Sequence, residues 1–143
     1  MTLNKKAEYA ISIVIYIYYS TRSGNSVTAN QIYDATYIPK KFLTVILSEL
    51  QRARILKSIR GSNGGYTIER SMKDISLLDI VKATKGIKEK KSNEAENIYQ
   101  IFSYSISNEI EDEFLKRLGQ IDFETLFKRF ESTISPMTPM FYI

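Results

Sequence analysis

Apolar positions in the first part of the chain recur at helical spacing. Ala7, Ala10, Ile11, Val14 and Tyr18 fall three and four apart, and Ile13, Ile15, Tyr16 and Ile17 fill most of the remaining circumference. Residues at these intervals share a helix face, so the pattern predicts a helix apolar nearly all round. Such a helix must be covered on more than one side, and a partner chain is one way to cover it. The apolar run from Ala10 to Tyr19 is about half of what a membrane span needs, and no small-residue cleavage site follows it. The expectation is a buried helix in a soluble, cytoplasmic protein with no membrane partner.

Thr21 to Ser26 reads as a loop. Thr28 is a good N-cap for a short helix from Ala29 to about Ala35. Thr36-Tyr37-Ile38 makes a tight connection, and Pro39 suits the first position of a new helix, where its missing N–H costs nothing. That helix runs to about Arg52, with Leu43, Ile46, Leu47 and Leu50 on its apolar stripe and Lys40, Lys41, Thr44 and Ser48 on another face. Two alternating segments, Ile55 to Ile59 and Tyr66 to Glu69, predict short strands. Between them, Arg60-Gly61-Ser62-Asn63-Gly64-Gly65 permits positive φ at several places and reads as a hairpin tip.

Asp74 or Ser76 can cap a helix from Leu77 to Lys85, closed by Gly86. Residues 87–97 are polar and read as a linker. Helical spacing resumes from about Ile98 to Phe130, broken near Gly119 and Asp122, with Asp122 capping the last helix. Phe114, Leu115 and Leu118, then Phe123, Leu126, Phe127 and Phe130, give apolar stripes, and an apolar tail with two prolines follows.

Composition narrows the chemistry. The 143 residues contain no Cys and no His. Disulfides, thiolate or imidazole metal sites and Cys- or His-based nucleophilic catalysis are therefore excluded. Acid pairs such as Glu109/Glu113 and Glu111/Asp112 sit on what reads as a solvated helix face, so no enzyme is expected. The net charge of +4 is unevenly spread: residues 1–91 carry 16 Lys/Arg against 7 Asp/Glu, and residues 92–143 carry 4 against 9. A basic N-terminal part favours phosphate, hence nucleic acid.

The order helix, short helix, turn, helix with a polar outer face, Gly-tipped hairpin is that of a winged helix-turn-helix. A helix fits the major groove, and a hairpin arginine can enter a narrow minor groove. The fold expected is mainly α with a small β-hairpin wing: a winged domain over residues 1–86, a linker over 87–97, and C-terminal dimerisation helices over 98–143. The candidate DNA contacts are Thr28, Lys40, Lys41, Thr44, Ser48, Arg60, Gly61, Gly64, Gly65 and Tyr66.

Ile38-Pro39-Lys40-Lys41-Phe42-Leu43, the Arg60-Gly61-Ser62-Asn63-Gly64-Gly65-Tyr66 wing, Glu8-Tyr9-Ala10 and Ile75 to Ile80 resemble the Rrf2 family of regulators. The resemblance is close over residues 1–86 and a matter of pattern beyond them. It implies base reading by Lys41 and Thr44, minor-groove insertion of Arg60, and a dimerisation helix after residue 98, where Phe114, Leu115 and Leu118 would meet the partner. Members that sense redox state or nitric oxide carry three linker cysteines; residues 86–105 here have none, so an iron–sulfur function does not carry over. Arg54 stands where the family usually has Gly, at a cost of about 1 kcal/mol if its backbone is left-handed. The functional expectation is a cofactor-free homodimeric repressor of a palindromic operator in double-stranded DNA, answering to a small-molecule or protein effector. The alternative is a protein-interaction module of the same fold that has lost DNA reading.

Overall fold

The structure is a computed structural model and describes residues 3–86 and 95–137, with the side chain of Met137 left out. The linker expected over 87–97 lies mostly outside these residues, as does the end of the apolar tail.

Helix α1 (Lys5–Thr21) opens on Asn4, whose side chain accepts from the Ala7 amide, and buries Ala7, Ala10, Ile13, Val14 and Ile17. Helix α2 (Ala29–Thr36) begins at Thr28 with a reciprocal capping box to Gln31. Helix α3 (Lys40–Arg52) buries Leu43, Ile46, Leu47 and Leu50, the stripe the spacing predicts. Pro39 is its N-cap rather than its first helical residue: ψ is 135°, and its carbonyl accepts from the Phe42 and Leu43 amides.

Strands β1 (Leu56–Ile59) and β2 (Gly65–Ile68) form one antiparallel hairpin, with Leu56 opposite Ile68 and Ile59 opposite Gly65. Ile55 falls outside β1 because it closes α3. Its amide reaches back to the Leu50 carbonyl and that of Arg54 to Gln51, a Schellman ending with Arg54 at φ 59°. The left-handed backbone anticipated at Arg54 is therefore present, without glycine.

Helix α4 (Leu77–Ala83) is capped by Ser76, with Asp79 completing the box. It stops two residues short of the expected Lys85 because Lys85 itself takes the left-handed turn, at φ 52°. Gly86 is needed for close approach instead: a Cβ there would lie 2.5 Å from that of Ala7. Helix α5 (Ile98–Gln120) is capped by Asn97, and α6 (Phe123–Ile134), which runs past Phe130, by Asp122. Hydrogen bonds from the Thr125 amide and hydroxyl hold the Asp122 carboxyl below its ordinary value of 3.8.

One core unites what the sequence divides. Phe123 is fully buried in the same cluster as Ile13, Ile17, Ile46 and Leu50. Backbone bonds from Phe123 to Ile75 (2.7 Å) and from Leu77 to Ile121 (2.8 Å) fix the start of α6 against the start of α4. Tyr18 meets Phe127 edge-on, with centroids 4.7 Å apart. Helix α6 thus completes the core of the winged domain. Most of the apolar circumference of α1 is covered within its own chain, by α2, α3, α4 and β2.

Candidate nucleic-acid interface

Helix α3 buries one face and leaves Lys40, Lys41, Thr44 and Ser48 exposed on the other. It is held at the protein surface by that buried stripe and by an ion pair from Lys6 in α1 to Glu49, N···O 2.6 Å, with both side chains largely buried. The pair lies between the exposed Ser48 and the buried Leu50, so it fixes which face of α3 looks outward. Lys40 and Lys41 rest 5.2 Å and 5.0 Å from the ring centroids of Tyr33 and Phe42, which keeps both ammonium groups near the start of α3. The Thr44 hydroxyl donates to the Lys40 carbonyl, leaving its oxygen lone pairs to accept from a base or a water.

The hairpin is joined to the helix-turn-helix through backbone. Val27 and Tyr66 exchange amide–carbonyl bonds of 3.0 Å and 2.7 Å, and the Ser26 hydroxyl donates to the Asn63 carbonyl at 2.6 Å. The wing tip, with Arg60 and Gly61 exposed, thus stands beside the start of α2, where Thr28 is exposed as well. The Thr28 oxygen caps Gln31, so its hydroxyl hydrogen is what it can offer a phosphate.

The remaining wing residues have other work. A Cβ on Gly64 would lie 2.4 Å from the Ile59 carbonyl oxygen, and one on Gly65 2.3 Å from that of Val27. Tyr66 packs its side chain against the core. These three, all half-buried, build the hairpin, and Gly61, at φ 114°, makes the turn.

Sequence reasoning missed Tyr37. It is 78% exposed and left-handed, at φ 54°, in the turn between α2 and α3. A large aromatic is thus held out in an uncommon conformation three residues before Lys40. The only signal was its place in a connection too short to hide it. Val45, 46% exposed on α3, was missed as well.

The residues expected to bind a partner copy are partly engaged within their own chain. Leu118 is buried with Ala7, Leu77 and Val81 of its own chain, and Phe114 packs against that cluster; Leu115 is half-buried. The ladder of four-residue steps that ends on them begins higher up, with Phe102, Ile106 and Ile110, and these are exposed, as are Ile98 and Tyr99. Glu109, Glu111, Asp112 and Glu113 are on the outside of α5 or half-buried there.

Among the described residues no helix is long and apolar enough to cross a membrane. A family model, Rrf2, described as iron-dependent transcriptional regulator, matches residues 3–129. A Mycobacterium tuberculosis protein named as an HTH-type transcriptional regulator is 34% identical over 86 residues, 60% of this chain and 53% of that one. The HTH-type transcriptional regulator IscR of Cereibacter sphaeroides is 27% identical over 84 residues, 58% of this chain and 54% of that one. The chain spans about half the length of these curated relatives. Among solved structures, T. potens IscR superposes with a TM-score of 0.75 at 20% identity, over 93% of this chain and 90% of that one. CymR, the global cysteine regulator of B. subtilis, gives 0.72 at 21%, over 90% and 98%. The iron in the family's description finds no fit here. A chain without Cys or His has no thiolate or imidazole to offer, and no cluster of three or more acidic side chains capable of holding a metal occurs among the described residues.

Proposed function

This chain belongs to the Rrf2 family of transcriptional regulators, and on that footing we propose that it represses transcription as a homodimer bound to a palindromic operator, without an iron–sulfur cluster. In this reading the exposed face of α3 reads bases in the major groove. Lys41 and Thr44 contact base edges, Lys40 and Ser48 contact edges or phosphate, and Thr28 contacts phosphate at the start of α2. Arg60 reaches the minor groove from the wing tip. The observation that carries the reading is the Val27–Tyr66 backbone link, which holds an arginine-bearing tip in fixed relation to the helix-turn-helix.

The exposed ladder Phe102, Ile106, Ile110 supplies the dimer surface. Apolar side chains lined along one helix and left in water favour a second copy, and a dimer is what a palindrome requires. A small-molecule or protein effector sets the affinity.

A gel shift on promoter DNA tests the reading. Arg60→Ala is expected to lose about 1–3 kcal/mol of specific binding, roughly five- to 150-fold. Lys41→Ala and Thr44→Ala are expected to change base preference. Wild-type affinity and preference in all three variants would refute the groove assignment.

A further inference from the structure

A cleft of about 530 Å³ at the base of the wing takes no part in the interface described above. It lies between the end of α1, the outgoing end of β2 with the turn after it, and the start of α6. Arg22, Arg70 and Lys73 line it, against one carboxylate, Glu124. Arg22 is already engaged: it pairs with Glu131 at 3.1 Å and covers the ring of Tyr19 at 4.9 Å. Arg70 is not: its Nε is buried without a hydrogen-bond partner. Neither Arg70 nor Lys73 has an ion pair among the described residues.

A guanidinium N–H withdrawn from water without an acceptor carries its full desolvation cost, and native proteins leave few such groups unexplained. An anionic oxygen removes that cost and makes the strongest kind of hydrogen bond a guanidinium forms. Thr67 and Ser71 add hydroxyl donors on the same wall, while Ile68 and the buried Met72 give it an apolar side. With Arg22 paired to Glu131, Arg70 and Lys73 remain as two cations without an ion pair among the described residues, facing the single carboxylate Glu124.

We propose that this cleft binds a small dianion, a dicarboxylate or a phosphate monoester, with Arg70 and Lys73 as its charged contacts. The site is concave and flanked by Glu124 and Glu131, which suits a compact metabolite better than the phosphates of a duplex. Its ligand would tie the base of the wing to α1 and α6. Any effect on transcription rests on the regulator reading above; the binding itself does not, and is measured without DNA.

The full chain is titrated with succinate and with inorganic phosphate at constant ionic strength, chloride serving as control, and followed by calorimetry and thermal unfolding. One or both anions are expected to bind saturably and raise Tm. Binding should be weakened roughly tenfold or more in Arg70→Gln and in Lys73→Gln and unchanged in Lys57→Gln, an exposed β1 residue outside the cleft. Lys73 is exposed, so its variant decides the matter if the Arg70 variant does not fold. No saturable binding, or equal binding by wild type and both cleft variants, overturns the proposal. So does a loss of DNA affinity with a shallower salt dependence in variants that bind the anions normally, since that marks a duplex phosphate contact. Anion binding by a protein that ignores DNA would uphold the site and defeat the regulator reading.

Discussion

Tyr66 donates its amide to the Val27 carbonyl at 2.7 Å and accepts from the Val27 amide at 3.0 Å. This pair joins the wing to the segment that leads into α2, and Gly65 is what lets the two backbones meet, because a Cβ there would lie 2.3 Å from the Val27 oxygen. Gly61, also at positive φ, has nothing within 4 Å of a Cβ. Each Gly→Ala change costs about 1–3 kcal/mol in backbone strain, but only Gly65→Ala also breaks the link. Urea unfolding should therefore show a clearly larger loss for Gly65→Ala, and hydrogen exchange should show the Tyr66 amide unprotected in that variant alone. Equal losses would mean that the link does not hold the wing.

Arg54 closes α3 at φ 59°. Glycine pays no steric cost there but loses more backbone entropy on folding. Arg54→Gly should raise stability by about 0.5 kcal/mol, the difference between the two effects. Thermal unfolding would register it as a small rise in Tm; a fall would mean that the arginine side chain stabilises α3 in some further way.

Ile106 is exposed in the middle of the α5 ladder and at a distance from the core. Ile106→Asp should leave Tm close to wild type when measured on dilute monomer, yet shift sedimentation from dimer to monomer at micromolar concentration. A point change is the right probe here, because removing α5 and α6 would strip Phe123 and Phe127 from the core. An Ile106→Asp chain that sediments as wild type does would place the dimer contact elsewhere.

The parts legible in the sequence are those set by local chemistry. Thr28, Ser76 and Asp122 cap α2, α4 and α6, because a side-chain oxygen accepting from an amide two or three residues on is a short-range event. The α3 stripe followed from periodicity for the same reason. Gly86 reads as the residue that closes α4 because glycine is the usual stop, whereas Lys85 takes the left-handed turn and Gly86 makes room for Ala7. Leu118 was misplaced because an apolar stripe does not say which surface covers it; only the docking of α5 on α4 does. The Val27–Tyr66 pair spans 39 residues through backbone groups alone, so no side-chain pattern could announce it.

In the proposed function, two copies of this chain present two winged domains to DNA at a fixed separation. Selection of bound sequences from a random duplex pool by the full chain, at stated salt, tests it most directly. Enrichment of a pseudo-palindrome is expected, with half-site centres about one helical turn, roughly 34–36 Å, apart or a multiple of that. No enrichment over competitor DNA, or a single unrepeated half-site, would contradict it.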